Sequence, residues 1–362
     1  MWLFFKRLSL LGMLCNMFLM TGCDPFVENN TIEEISPVIF WSINTGEEGK
    51  LKISTLVPPV IKETKRLLSL QVDLFKQGGE KFNLIYYREL KRGQTRMVLI
   101  NEELARKGVI SIINTLLVDP EISQRLYLVI VRGNFDDYMQ NQIKTQPDLD
   151  YFFYRMLKHY EKYNQGEMSI MNLHQFKSTL YSPFPYPILP VFKVNSDNFS
   201  YLGTAMFDQD KLIGTIKQMD DQIFQLLNND HYLKFLPIPK LATTLGYIHS
   251  DVHKKLDRTY STLSIQIDIT GIVEEYRGDK NIIEQEQFYQ LRDDIEHYLE
   301  QQTTDLLKKM QQYKVDPLQF GNLTLSPFAR PMSKGKWMDY WQNMEINVDY
   351  NVRLAPLSNV QK

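Results

Sequence analysis

Cys23 is the residue whose chemistry the sequence indicates most directly. It ends the segment Leu19-Met20-Thr21-Gly22-Cys23, which follows Lys6, Arg7 and a mostly apolar run of 13 residues, 8–20. That run fits a secretory signal and is shorter than the ~20 apolar residues that span a bilayer. Small residues directly before the cysteine are typical of a bacterial lipobox, in which the thiol takes a diacylglycerol and the preceding peptide bond is cut. We expect this lipidation at Cys23; the alternative is an ordinary cleaved signal with an unrelated cysteine at its end.

The cysteine count and the charge limit what the rest of the chain can do. The 362 residues contain two cysteines, Cys15 in the apolar run and Cys23. Removal of residues 1–22 would leave 340 residues without a free thiol or a disulfide, enough for two or three domains with sizeable cores. The formal net charge of −2 becomes −4 without Lys6 and Arg7, so the basic footprint of a nucleic-acid binder is missing. No later stretch is apolar for long enough to span a membrane. We therefore expect a body tethered by lipid and no nucleic-acid partner.

The histidines include one pair at the spacing of a metal-binding helix. His249 and His253 stand four residues apart, but no Glu follows His249 to complete the H-E-x-x-H pattern. The phosphate-binding patterns G-x-x-x-x-G-K-[ST] and G-x-G-x-x-G and the nucleophile elbow G-x-S-x-G do not occur. The sequence therefore predicts no metal site, no cofactor and no catalytic residue.

Two pairs of carboxylates and one pair of tryptophans have both a chemical and a structural interpretation. Asp136-Asp137 and Glu274-Glu275 could act together in acid–base chemistry, but a solvent-facing stretch or the first turn of a helix explains them more simply. Trp337 and Trp341, four residues apart, could stack on a sugar or another ring ligand. At helical spacing, packing in a core is the favoured interpretation of such a pair.

The N-terminal half alternates predicted strands and helices. Strands are predicted at 38–43 and 50–57, joined by a Gly-bracketed turn, and at 68–74, 95–100 and 126–131. The last of these is apolar without alternation, which predicts a central strand that is buried on both faces. Helices are predicted at 80–90, 101–107, 109–118, 151–163 and 169–180, with Asn101 and Asn134 at helix starts. The first rests on the helical spacing of Phe82, Ile85, Tyr86 and Leu90, and a strand at 83–87 is the alternative. This order predicts a mixed or parallel sheet with a right-handed crossover.

The C-terminal half has the pattern of a smaller α+β unit. A hairpin is predicted at 201–207 and 211–216, followed by a helix at 217–227. Residues 263–269 and 346–354 alternate apolar and polar side chains, as in strands with one buried face. Between them, 283–313 carries a single apolar stripe and predicts an amphipathic helix about 45 Å long.

A proline-rich stretch suggests where one domain ends. Residues 182–190 contain four of the 16 prolines, a density that argues against a helix or a central strand. We therefore expect an α+β protein with a signal peptide at 1–22 and three α+β domains. Their predicted limits are 23–190, 191–260 and 261–362, the last with the long helix packed on a sheet.

Taken together, these segments resemble the Ger(x)C family, the lipoprotein C subunits of spore germinant receptors. The stretches that carry the resemblance run nearly end to end: the lipobox at 21–23, Met97-Val-Leu-Ile-Asn-Glu-Glu-Leu-Ala-Arg-Lys-Gly108, Leu126-Tyr-Leu-Val-Ile-Val, Ile188-Leu-Pro-Val191, Tyr201-Leu-Gly-Thr-Ala-Met-Phe-Asp-Gln-Asp-Lys-Leu-Ile-Gly214, Asp316-Pro-Leu-Gln-Phe-Gly321, and Trp341 followed by the alternating run 346–352. The resemblance implies three α+β domains. It also implies action with a multi-pass A subunit and a transporter-like B subunit in the spore inner membrane, in nutrient-triggered germination. The C subunit carries no known catalytic residue in that family.

Two other functions remain as alternatives. A solute-binding lipoprotein of an ABC importer has a similar size, but needs two similar α/β lobes around a cleft. An anchored hydrolase needs a nucleophile, a base or a metal cluster, which the sequence does not indicate. The favoured prediction is a non-enzymatic receptor subunit, anchored to the outer face of the membrane through a diacylglycerol on Cys23.

Overall fold

The structure is a computed structural model that describes residues 33–59, 64–146, 148–163, 166, 168–228, 232–328 and 330–355. The predicted signal peptide and Cys23 lie outside these residues. The strands of the described part are β1 Ile35–Pro37, β2 Phe40–Thr45, β3 Leu51–Val57, β4 Arg66–Val72, β5 Glu89–Lys91, β6 Met97–Asn101, β7 Tyr127–Arg132, β8 Ile188–Val194, β9 Phe199–Asp208, β10 Lys211–Lys217, β11 Leu233–Ile238, β12 Thr243–Leu256, β13 Thr262–Tyr276 and β14 Glu345–Ala355. Its α-helices are α1 Phe75–Ile85, α2 Glu102–Lys107, α3 Ile110–Val118, α4 Phe135–Gln142, α5 Leu149–Tyr163, α6 Leu173–Leu180, α7 Gln218–Asn228, α8 Gln285–Tyr313 and α9 Lys334–Asn343.

A mixed sheet of eight strands forms the larger unit. Its order is β10-β9-β8-β7-β6-β2-β3-β4. The four central strands β8, β7, β6 and β2 are parallel, and antiparallel hairpins complete both edges. As predicted, β7 is buried on both faces: Leu128 and Ile130 belong to one apolar core, Val129 and Val131 to the other. Helices α1, α2, α3 and α6 contribute to the first core, α4 and α5 to the second.

The smaller unit is a four-stranded sheet with one covered face. Its order is β11-β12-β13-β14, and α8 connects the parallel strands β13 and β14. Inward residues of β13, such as Ile265 and Ile267, pack with Leu291, Ile295 and Leu299 of α8 in one core. Residues between them on β13 face outward, as the alternation predicted. The mixed α+β class and the long helix packed on a sheet are therefore confirmed.

The free edge of β14 is partly closed by side chains of α8. Val352 N donates to Glu296 Oε1 at 2.8 Å, and Tyr350 N donates to Glu300 Oε1 at 3.3 Å. The two glutamates lie one turn apart on α8, so both reach the same strand. The helix that covers the sheet therefore also provides acceptors for backbone amides of its edge strand.

Local predictions failed where distant pairing decides the structure. Ile188–Val194 forms β8 between β7 and β9, so the expectation that the proline-rich stretch excludes a central strand is wrong. Pairing with β7 begins only at Val191, so Pro190 lies before the part of β8 that pairs on both sides. The predicted limit between residues 190 and 191 falls inside β8, and β9 and β10 continue the same sheet. The division into three domains stays a prediction.

Two predicted helices have different bounds. The helix expected at 80–90 is α1, which runs from Phe75 to Ile85, and Glu89–Lys91 forms β5 beside β1 instead. The helix expected at 169–180 begins at Leu173, because Asn172 and Gln175 form a capping box there.

The loop after α8 is built around the buried carboxylate of Asp316. Its Oδ1 accepts from Phe320 N at 2.9 Å, and its Oδ2 accepts from Gly321 N at 2.8 Å and from Trp337 Nε1 at 3.0 Å. Asp316 is fully buried, and burial raises its pKa to about 7 against these three N–H donors. One side chain therefore joins the end of α8, the following loop and α9.

Phe184, in the segment before β8, contacts the residues around Asp316. The ring of Phe184 packs against Trp337 with ring centroids 5.8 Å apart, and a Cβ on Gly321 would lie 2.7 Å from this ring. Trp341 Nε1 donates to Val315 O at 2.9 Å. The segment before β8 is thus fitted onto the loop and helix of the smaller unit.

Substitution Gly203→Ala is expected to destabilise the fold severely. Gly203 lies in β9 with φ +144°, and an added Cβ would lie 1.9 Å from Ile216 O on β10. We expect the free energy of unfolding to fall by at least about 2 kcal/mol, measured by urea unfolding followed by tryptophan fluorescence. Gly335→Ala is the matched control, because it has open space on α9 and should stabilise by up to about 1 kcal/mol. Similar losses in both variants would contradict this account of Gly203.

Substitution Asp316→Asn is expected to remove a pH dependence of stability. The folded-state pKa of Asp316 is raised to about 7, so between pH ~4 and ~7 the folded chain holds a proton that the unfolded chain releases. We therefore compare the free energies of unfolding of the wild type and of Asp316→Asn. The wild-type value minus the variant value should fall as pH rises from ~4 to ~7 and should stay level at higher pH. Asn should also cost about 1–3 kcal/mol, because its Oδ1 can still accept but its NH2 group cannot, and N–H donors face both oxygens of Asp316.

Asp339→Asn, at an exposed position of α9, is the control for this comparison. Its free energy of unfolding should stay within about 0.5 kcal/mol of wild type. A wild-type advantage over Asp316→Asn that is constant from pH 4 to 8 would contradict the prediction.

Candidate functional site

The residue with the clearest predicted chemistry, Cys23, is outside the described residues, so its lipidation stays a prediction. The described chain begins at residue 33 and enters the fold through β1. None of its described helices is both long and apolar enough to cross a bilayer.

The two histidines with metal-like spacing lie on a strand. His249 and His253 belong to β12, where four residues cover about 13 Å, so they do not share a ligand site as they would on a helix. Nε2 of His253 lies 3.4 Å from Asp251 on the exposed side of the strand. Within the described ranges, no group of three or more His, Cys, Asp or Glu side chains is placed to hold a metal ion.

One of the two carboxylate pairs departs from the prediction. Asp136 and Asp137 lie in the first turn of α4, but Asp136 is only 2% exposed, so the prediction that it faces solvent is wrong. Its Oδ2 accepts from Lys52 Nζ at 2.7 Å and from Ser54 Oγ at 2.9 Å, both on β3. The compensating partners stand more than 80 residues earlier in the chain, which is why the local pattern did not reveal them. Glu274 and Glu275 are exposed on β13, as predicted.

The paired tryptophans belong to a core. Trp337 and Trp341 are both fully buried on α9 and stack with ring centroids 6.1 Å apart. The packing interpretation is confirmed, and neither ring presents a face to a ligand from solvent.

A buried polar network was missed by the sequence analysis. Tyr201 on β9 donates to Asp221 Oδ2 on α7 at 2.9 Å, and Gln225 Nε2 donates to Ser169 Oγ at 2.6 Å and to Thr204 Oγ1 at 3.3 Å. Burial raises the pKa of Asp221 to about 6 and the pKa of Tyr201 well above its usual value. No local signal in the sequence indicated it, because Asp221 and Gln225 lie on the side of the predicted helix opposite Met219, Ile223 and Leu226.

This network borders a cleft of about 400 Å³ between the two units. Ser169 and Gln225 line it together with Tyr186, and Pro317 and Gln319 line it from the smaller unit. The polar groups of Ser169 and Gln225 already bond to each other, which joins α7 to the loop before α6, and Gln225 also bonds to Thr204 of β9.

A cluster of charged side chains lies at the carboxyl ends of β6 and β7. Glu102, at the start of α2, accepts from Arg132 Nη2 at 2.7 Å and from Arg106 Nη2 at 2.8 Å. The hydrogen bond from Arg132 is the main cause that lowers the pKa of Glu102. This edge of a parallel sheet often binds ligands, but here the two guanidinium groups already satisfy the carboxylate.

Comparison with known proteins gives matches along nearly the whole chain. The family profile described as "Spore germination protein N-terminal domain" matches residues 28–194, and the one described as "Spore germination B3/ GerAC like, C-terminal" matches residues 202–355. Spore germination protein GerQC of Bacillus cereus is 20% identical over 96% of this chain and 97% of its own length. The putative spore germination protein YfkR of Bacillus subtilis (strain 168) is 20% identical over 75% of this chain and 74% of its own.

A solved structure shares the fold. The crystal structure of the GerBC protein matches with a TM-score of 0.53 and 15% identity, over 88% of this chain and 97% of that chain. Because the two family profiles together account for both sheets and their helices, the chain belongs to the GerAC family of spore germination proteins.

Proposed function

We propose that this protein is a non-enzymatic lipoprotein subunit of a spore germinant receptor. It is held at the outer face of the spore inner membrane by a diacylglycerol on Cys23. It takes part in nutrient-triggered germination by assembling with the A and B membrane subunits of the receptor. The single observation that carries the proposal is the match of both family profiles along the chain.

The chemistry of the described residues is consistent with a scaffold. The buried carboxylates of Asp136, Asp221 and Asp316 each bond across two elements of the fold. Such groups stabilise a particular arrangement of helices and strands, and their partners are side chains or amides of the same chain.

The alternative of an importer's solute-binding lipoprotein has less support. That class needs two similar lobes around a cleft. The described residues instead form one eight-stranded and one four-stranded sheet with different strand orders, and a two-stranded sheet of β1 and β5.

The lipid anchor is tested by comparing the chain's two cysteines. Cys23→Ala should abolish incorporation of labelled fatty acid, because no thiol remains at the lipidation position, and should slow the germination response of spores to nutrients. Cys15→Ala is the matched control, because Cys15 lies in the segment that is removed, and should leave both properties unchanged. Mass spectrometry of the mature chain provides the direct measurement. An unmodified mature N-terminus in wild-type spores would refute the anchor.

Assembly is tested by purification from spore membranes in mild detergent. A tagged chain should bring down a multi-pass protein and a transporter-like protein in fixed proportion, and Cys23→Ala should reduce their recovery because the chain is no longer held beside them. Recovery of an ATPase and a permease in their place would favour the importer alternative.

A further inference from the structure

A small apolar patch is exposed at the end of α1. Leu84, Ile85 and Tyr87 are 85%, 63% and 68% exposed; these three residues are called the α1 patch below. Phe82 and Tyr86, in the same stretch of chain, are buried. The patch therefore projects from a well-packed segment, and its exposure is not a consequence of a frayed helix end.

Hydrogen bonds and ring packing hold this segment in place. Tyr86 N donates to Phe82 O at 2.9 Å, and Leu90 N donates to Asn83 Oδ1 at 3.0 Å. The ring of Phe82 packs on Trp41 of β2 with centroids 5.7 Å apart. Tyr87 also contacts the ring of Tyr86, with centroids 5.1 Å apart. Three large and mostly exposed apolar side chains on a packed segment indicate a contact surface.

The α1 patch lies where the chain enters the fold. β1 pairs in parallel with β5, with Ile35 opposite Glu89, and Glu89 N donates to Glu34 O at 2.8 Å. Tyr87 is only two residues before Glu89. The 10 residues between Cys23 and Glu34, 24–33, let these two residues be at most about 40 Å apart when extended. A lipid on Cys23 would therefore keep the α1 patch within reach of the membrane surface.

We propose that the α1 patch rests in the interfacial layer of the bilayer that holds the anchor; this inference rests on the proposed lipidation of Cys23. Leucine and isoleucine side chains gain free energy by leaving water, and tyrosine favours the membrane–water interface. Exposed Lys76 and Lys81 on α1 are accompanied by exposed Asp73 and Glu80, so the contact does not depend on anionic lipid.

The size of the patch favours lipid over a second copy of the chain. A stable dimer buries about 800 Å² per partner, some 20–30 residues a side, whereas the α1 patch has three. A tether of fixed length presents the bilayer to the patch at a high effective concentration, so weak individual contacts suffice. The docked patch would fix the orientation of the body on the membrane.

The test uses nitroxide labels on the lipidated mature chain in phosphatidylcholine vesicles. With Cys23 blocked by lipid and Cys15 removed, Leu84→Cys gives a single reactive thiol. Leu323→Cys is the matched control: Leu323 is also exposed and lies in the smaller unit, which packs on the opposite edge of the eight-stranded sheet from α1. Collisions with oxygen, which is enriched in lipid, and with a water-soluble nickel chelate report the surroundings of each label.

We expect the ratio of oxygen to nickel collisions to be severalfold higher at position 84 than at position 323. The additional changes Ile85→Ser and Tyr87→Ser should lower the ratio at position 84 towards that of the control.

Equal ratios at both positions would overturn the inference while leaving the anchor intact. Spin–spin broadening at position 84 would also overturn it, in favour of a second copy. Shielding from both reagents would overturn it in favour of cover by residues 24–32. Failure of the wild-type chain to associate with vesicles would remove the anchor and the inference together.

Discussion

The arrangement of the two sheets depends on the desolvated carboxylate of Asp316. A carboxylate taken out of water costs several kcal/mol unless polar donors replace its hydration. Here the donors come from a loop and from Trp337 on α9, so the closed loop and the docked α9 offset part of this cost, and the remainder is seen in the raised pKa of Asp316. Phe184 then packs on Trp337, which places the larger sheet. Asp316, Trp337 and Phe184 thus connect the end of α8 to the segment before β8, within an apolar core that both units share.

Periodic patterns predicted the fold where one face of an element decides its packing. The stripe of α8, the alternation of β13 and the uninterrupted apolar run of β7 each state locally which side is buried. Asn101, predicted to begin a helix, accepts from Glu103 N and Leu104 N. Pro190 and Asp136 could not be predicted in this way. Their surroundings are supplied by β9 and β3, and a local pattern contains no information about a partner that lies far along the chain.

Of the candidate sites, the sequence could indicate only one that consecutive residues encode. The lipobox at 21–23 is such a site, and its lipidation stays a prediction, whereas the network of Tyr201 and Asp221 exists only where a strand and a helix meet. The α1 patch was hidden for another reason. Phe82, Ile85, Tyr86 and Leu90 have helical spacing and predicted one buried face, but α1 ends at Ile85. Ile85 is the last helical residue and is exposed, and the backbone becomes extended from Tyr86, so that Tyr86 and Leu90 are buried by a strand-like segment and not by a helix face.

The glutamates that bond to the edge of β14 would have a consequence if the proposed lipid on Cys23 confines the chain to a membrane. Copies that share a plane meet far more often than copies in free solution, and an open strand edge invites neighbouring chains to add to the sheet. Glu296 and Glu300 occupy two of the amides that such an addition would use. Two-dimensional crowding can therefore bring the proteins together without seeding a growing aggregate, and other surfaces remain free to select specific neighbours.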